Sequence, residues 1–268
     1  MNGAAFAPMV KYPRTRHIEG SGLQRGDADL ERVAFAQIAG KSLVVEEKLD
    51  GANVGLWFTP GGEPVAQSRG HVLSGGPGEA QFATLKTWLS VHQGWLREVL
   101  SDRYILYGEW MYAKHTVFYD ALPHYLMEFD VYDRQDDSFL STEQRHEMLA
   151  GRPIVSVPVL ATEPVRRAKE LTGLVRPSLY KTAQWRASLR AAVEASGQDP
   201  DALPPGETDQ TDLSEGLYVK WEEGGVVKGR YKWVRPNFVQ TILDSGSHWR
   251  DRPIVRNGLR EGVDLFAL

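Results

Sequence analysis

Between residues 43 and 58 an apolar run, Leu43-Val44-Val45, passes into Glu46-Glu47-Lys48-Leu49-Asp50-Gly51-Ala52-Asn53 and then into a second apolar run, Val54-Gly55-Leu56-Trp57-Phe58. Two β-forming runs around an Asp-Gly turn commit this stretch to strand, turn and strand, and the spacing predicts a hairpin of residues 43–48 and 53–58. Lys48 then stands where a strand gives way to a polar turn. An amine in that position attacks phosphorus or carbonyl carbon only when unprotonated, so its pKa must fall from about 10.4 through desolvation or neighbouring cations. An exposed lysine at a strand end fits these residues equally well.

The surrounding pattern is strand-rich. Gly61-Gly62 makes a turn before a short return strand at 65–68, and residues 70–78 read as a loop. Helical periodicity covers 79–100, with Phe82, Leu85, Leu89, Trp95, Leu96 and Val99 on one stripe. Strands return at 104–110, 125–132 and 155–160. Ser141 is placed to cap a helix, with Gln144 as its capping-box partner. Helical segments are expected at roughly 162–172 and 178–196. The Pro-rich, acidic stretch 199–214 reads as a flexible loop, and Gly224-Gly225 as the turn of a hairpin between 217–222 and 226–234.

At 268 residues and 42% hydrophobic composition the chain can bury a substantial core. It contains no cysteine, which excludes disulfides, thiolate metal sites and thiol nucleophiles and fits a reducing compartment. Residues 1–20 lack the apolar centre of a signal peptide, and no run reaches membrane-spanning length, so a soluble cytoplasmic protein is expected. The net charge of −4 argues against a polyanion partner, but charge is distributed unevenly. Lys228, Arg230, Lys232, Arg235, Arg250, Arg252, Arg256 and Arg260 face only Asp244 and Asp251 between 226 and 260, interleaved with Tyr231, Trp233, Phe238 and Trp249. That tract is either a local nucleic-acid surface or a solvated basic face.

Six segments then follow one another in a telling order: Lys48-x-Asp50-Gly51-x-Asn53, Ser68-Arg69-Gly70, Tyr107-Gly108-Glu109-Trp110, Phe129-Asp130-Val131-Tyr132, Glu215-Gly216-Leu217-Tyr218-Val219-Lys220, and Val226-Val227-Lys228-Gly229-Arg230-Tyr231-Lys232. Together they resemble the motifs of the covalent nucleotidyltransferases, which are the ATP-dependent DNA and RNA ligases and the GTP-dependent capping enzymes, and the RNA ligase branch above all. The resemblance covers about residues 10–240. It implies an α+β nucleotidyltransferase fold, ATP-grasp-like, with two antiparallel sheets around a nucleotide cleft and flanking helices. Residues 1–240 would form the adenylation domain with a helical insert at about 162–196. Residues 241–268 would be a short basic extension, too short for an OB-fold barrel.

The resemblance also implies roles. Lys48 is the nucleophile that takes AMP from ATP, forming lysyl-AMP; AMP then passes to a 5′-phosphate, and a 3′-hydroxyl displaces it to leave a phosphodiester. Lys220, Lys228 and Lys232 would depress the Lys48 pKa and face the phosphates. The basic pair on the last strand is Lys228/Arg230 or Arg230/Lys232. Glu109 receives the ribose hydroxyls, Phe129 stacks on adenine with Asp130 on the opposite face of its strand, and Glu47 offers a backbone carbonyl to the adenine pocket. Glu215 holds Mg2+ or Mn2+. Arg69 and Asn53 bind the RNA 5′-phosphate and later the departing AMP. Two further groups are placed near the site: Arg14, Arg16 and His17 of the N-terminal tract, and Lys114-His115 with Tyr119-Asp120. RNA bearing 5′-phosphate and 3′-hydroxyl ends is the implied partner, with an end-healing kinase or phosphatase upstream. A DNA ligase, a capping guanylyltransferase and an RNA-binding module without turnover remain alternatives.

Overall fold

The computed structural model describes residues 8–23, 31–76, 78–244 and 252–267. Its strands are β1 (Arg16–Ile18), β2 (Arg32–Val33), β3 (Leu43–Lys48), β4 (Ala52–Phe58), β5 (Pro64–Ser68), β6 (Tyr104–Trp110), β7 (Leu126–Asp133), β8 (Ser138–Phe139), β9 (Val155–Ser156), β10 (Val159–Ala161), β11 (Gly216–Glu223) and β12 (Val226–Val234). The α-helices are α1 (Ala83–Leu100), α2 (Thr142–Leu149), α3 (Ala168–Thr172), α4 (Trp185–Ala195) and α5 (Pro236–Asp244). One sheet has the order β10-β3-β11-β12-β1-β2; the other has β5-β4-β6-β7-β8, with β9 beside β7. Both are antiparallel at their centres, and β1, β2 and β9 add parallel pairs at the margins.

The hairpin expected at 43–58 does not form. β3 pairs with β10 and β11, and β4 pairs with β5 and β6, so the two strands belong to different sheets. The turn between them is anchored elsewhere. The Asp50 carboxylate accepts the backbone N–H groups of Thr116 and Val117, each at 2.7 Å, and the Asp50 N–H donates to the Tyr119 hydroxyl at 2.9 Å. The Asp-Gly turn therefore carries the chain from one sheet to the other across the cleft.

Alternation along β3, β11 and β12 separates two environments. Leu43, Val45, Leu217, Val219 and Tyr231 enter an apolar cluster with Ile18, Val33, Ile38 and Leu171. Glu46, Tyr218 and Lys232 stand in one cross-strand row on the opposite face, and Val44, Lys220 and Arg230 in the next. The second sheet packs against α1, whose Leu85, Trp88, Leu89, Leu96 and Leu100 are buried at helical spacing, as expected. Ser141 caps α2 by accepting the Gln144 N–H, while its own N–H donates to the Gly225 carbonyl.

The sheets are tied by buried charge. Arg145 of α2 donates to Glu128 of β7 at 2.5 Å and to Glu46 of β3, and the Lys220 ammonium lies 3.0 Å from both Glu46 and Asp130. Arg145, Glu46, Glu128, Asp130 and Lys220 are all fully buried. Such groups persist in a core only when paired.

Three further expectations change. The 155–160 stretch divides between β9 and β10 in different sheets, and the helices of the insert are shorter than predicted. Residues 199–214 are held in place: Asp209 is buried in an ion pair with Arg235, whose Nε donates to the Ser214 carbonyl at 2.6 Å. Arg235 is thus a structural cation and not part of an RNA surface. At the other end, Asn257 donates to the Met111 carbonyl at 2.7 Å, which docks the C-terminal segment on the same body. Trp249 and Arg250 of the basic tract lie outside the described residues. Among those residues no helix is long and apolar enough to cross a membrane.

Gly216 follows Glu215 where β11 crosses β12, and a Cβ there would lie 2.0 Å from the Trp233 carbonyl oxygen. Gly216→Ala is expected to force the strands apart at a cost of about 1–3 kcal/mol, read as a lower midpoint in thermal denaturation; an unchanged midpoint would contradict that contact.

Candidate active site

A cleft of about 970 Å³ lies between the sheets, and Lys48, Glu109 and Glu215 meet in it. Each comes from a different strand edge: Lys48 ends β3, Glu215 immediately precedes β11, and Glu109 is near the end of β6. The Lys48 amine donates to Glu215 at 2.7 Å; the lysine side chain is 23% exposed and the glutamate 3%. Glu109 accepts the Gly51 N–H at 3.0 Å and stands opposite Asn53 in the β4–β6 ladder. Arg69 is exposed at the rim.

Burial pushes the Lys48 amine down, but Glu215, Glu109 and Asp50 outweigh it and hold the amine above its ordinary value. Burial pushes Glu215 up to about 7 against the pull of Lys48, with Asp50 adding to the rise. Burial likewise takes Glu109 to about 7, with Glu215 contributing. By themselves the cations of the neighbouring strands therefore do not depress the Lys48 pKa, a fall expected of them together with a bound metal. Lys220 is consumed in the buried ion pairs with Glu46 and Asp130, and Lys228 is exposed beyond the cleft. Arg230 lies against the Tyr12 and Phe139 rings. Of the last strand's three cations, Lys232 is the one that lines the cleft.

The inner end of the cleft is aromatic. Phe129 packs edge-on to Tyr12, centroids 5.2 Å apart, and faces Tyr218 at 6.1 Å with 38° between the planes. The Tyr12 hydroxyl donates to Asp130 and is also bonded to the Tyr218 hydroxyl. Asp130 therefore belongs to the buried charge layer behind the ring of Phe129. The Glu47 side chain accepts from the Ser178 hydroxyl and the Leu179 N–H, which ties the segment after α3 to the strand that carries Lys48.

The structure brings Glu47, Lys48, Asn53, Arg69, Glu109, Phe129, Glu215 and Lys232 to one cleft and places Lys220, Lys228 and Arg230 outside it. It also adds Tyr12, Thr15 and Thr116, for which charge and motif gave little warning, together with His115, already placed near the site by its sequence, and Tyr218 and Arg252 from the fifth motif and the basic tract. The N-terminal tract contributes through Tyr12 and Thr15 rather than through its cations. His17 is buried with Nδ1 2.7 Å from the Ser21 hydroxyl, and Arg16 lies on the surface 3.9 Å from Glu31. Beside the cleft, burial and then Arg252 push Lys114 down to about 8.

Among the described residues no group of three His, Asp or Glu side chains converges to hold a metal on protein ligands alone. The raised carboxyls of Glu215 and Glu109 fit a different arrangement, in which a divalent ion takes one or two carboxylates and completes its shell with phosphate oxygens and water.

The RNA ligase family profile matches residues 41–234. Curated protein sequences give no match. Among solved structures, mutant forms of a Naegleria gruberi RNA ligase are similar. One with ATP and Mn is 17% identical with a TM-score of 0.51, covering 78% of this chain and 53% of that one. Another with ATP and Mn is 15% identical with a TM-score of 0.53, covering 88% and 59%. A form with AMP and Mn is 15% identical with a TM-score of 0.54, covering 89% and 60%. The chain thus spans between half and two thirds of the length of those structures, and at such identity the likeness establishes the fold. The profile covers most of this chain and includes every motif from Lys48 to Lys232: the protein belongs to the RNA ligase family.

Proposed function

We propose that this protein is an ATP-dependent RNA ligase that joins 5′-phosphate and 3′-hydroxyl ends through lysyl-AMP and a 5′,5′-adenylylated RNA. The observation that carries this reading is the Lys48 amine 2.7 Å from Glu215 in a cleft that also gathers Glu109, Arg69, Asn53 and Lys232. Structures with this fold bearing ATP or AMP and Mn support the choice of donor and ion.

Lys48 Nζ attacks the α-phosphorus of ATP; a P–N bond forms and the bond to pyrophosphate breaks. The transfer depends on in-line positioning and charge neutralisation. Lys48 must first lose its proton, which Glu215 opposes in the free protein. Glu215 would hold a divalent ion, which would supply charge neutralisation for the phosphates and weaken that carboxylate's hold on the amine proton. Lys232 adds positive charge to the same cleft, Phe129 stacks on the purine, and Glu109 receives the ribose. Arg69 and Asn53 hold the RNA 5′-phosphate for the second transfer, an arginine fork matching phosphate oxygens well. A 5′-phosphate is consumed in each turnover, so an end-healing reaction that supplies it precedes this one.

A pH dependence follows. Below about 7 Glu215 is protonated and Lys48 is charged, so metal binding and nucleophilicity fail together. At subsaturating Mn2+ the initial rate of adenylylation is expected to climb with pH throughout, about a hundredfold per unit below 7, where both groups must lose a proton, and about tenfold per unit above it, where only Lys48 must. A flat profile from pH 5.5 to 9 would contradict the roles of this pair.

Sealing itself is tested with a 5′-phosphorylated, 3′-hydroxyl RNA, the matching DNA, ATP or GTP, and Mn2+. RNA joined with ATP is the expected product. Joining of DNA alone, or a requirement for GTP, would replace this reading with the corresponding alternative.

A further inference from the structure

A second cavity, of about 460 Å³, opens toward the start of β12 and is lined by Pro13, Tyr132, Ser138, Phe139, Lys228 and Arg230 among others. Lys228 is exposed at its edge. The Arg230 guanidinium sits 3.7 Å from the centroid of Phe139 and 5.2 Å from that of Tyr12, and its Nη1 is buried with no hydrogen-bond partner. An unpaired buried donor of this kind is costly, the more so when charged, and an anionic oxygen would satisfy it. The carboxylate in the lining, Asp137, is engaged by the Tyr132 hydroxyl.

This cavity is continuous in construction with the cleft. Val10 and Pro13 line the pocket while Tyr12 and Thr15, from the same segment, line the cleft. Arg230 and Lys232 share one face of β12 about 7 Å apart, and Lys228, at the irregularity in the β11–β12 ladder, lines the second cavity beside Arg230, so a row of cations runs from one cavity to the other. Such a row follows a polyanion. The half-buried ring of Tyr132 adds a surface for a base, the usual companion of phosphate contacts on single strands.

We infer that this pocket takes a phosphodiester of the RNA strand whose end is processed in the cleft, held by Lys228 and Arg230. The inference rests on the ligase reading above for the identity of the polyanion. It gives the two displaced basic residues a function distinct from neutralising ATP.

The test is fluorescence anisotropy of the full chain with a labelled, 5′-phosphorylated single-stranded RNA over a range of salt, alongside labelling of the protein by ATP. Lys228→Ala is expected to weaken RNA binding about fivefold or more irrespective of sequence, and to lower the slope of log affinity against log salt by about 0.7. Ser138→Trp, which fills the pocket without changing charge, is expected to weaken RNA binding comparably while lysyl-AMP formation stays at the wild-type rate. RNA affinities within about twofold of wild type in both variants would overturn the inference, as would wild-type protein that binds no RNA, or weakening confined to free AMP. Failure of wild-type protein to form lysyl-AMP would instead remove the ligase reading, so the two failures are separable.

Discussion

Lys48→Ala protein is expected to seal 5′-phosphorylated RNA ends on the order of 10⁴-fold more slowly than wild type, while still joining a strand that already carries a 5′,5′-adenylyl group. The first half follows because among the described residues no other amine stands where Lys48 does: Lys220 is buried in ion pairs, and Lys232 stands two strands away in a different cross-strand row. The second half follows because attack of the 3′-hydroxyl on an adenylylated end does not use the Lys48 amine. Denaturing gels with the two substrates read both rates. Equal loss on both would assign Lys48 to holding the adenylate or the fold, not to covalent transfer.

The largest effect on stability is expected at Arg145, far from any reacting atom. Arg145→Met leaves Glu128 with the Ser156 hydroxyl and Glu46 with Lys220, each still fully buried. Breaking a buried pair from one side costs about 3–5 kcal/mol, a large share of the 5–15 kcal/mol typical of a whole domain. A fall of about 10 °C in the thermal midpoint is expected, measured by circular dichroism. Adding Glu128→Gln, which removes the stranded charge, should recover part of the loss. A midpoint within about 2 °C of wild type in the single variant would mean that the charge layer does not join the sheets.

What could be read from the chain and what could not divides along contact distance. The runs 43–48, 53–58, 104–110 and 226–234 announce strands through their own residues, and α1 announces itself through its stripe. Strand partners are another matter. The Asp-Gly turn resembles a hairpin turn until Asp50 is seen to bind residues 116 and 117, more than sixty positions later. The carboxylates of the cleft were visible because Glu109 and Glu215 stand in motifs with adjacent glycines. The burial of Lys220 was not, since its partners Glu46 and Asp130 arrive from two other strands. Alternation shows that Arg230 and Lys232 share a face, but which of them enters the cleft depends on the Tyr12 ring lying against Arg230. Tyr12 itself has no charge to draw notice; its importance comes from Asp130 and Tyr218, which it joins.

Covalent carriage of AMP by Lys48 is read by intact mass spectrometry. Protein stripped of bound nucleotide is incubated with ATP and Mn2+, denatured, weighed and mapped by peptide. An added mass of one AMP is expected, removed by acid as a phosphoramidate should be, located on Lys48 and absent from Lys48→Ala. No adduct on folded wild-type protein, or an adduct on a different residue, would contradict it.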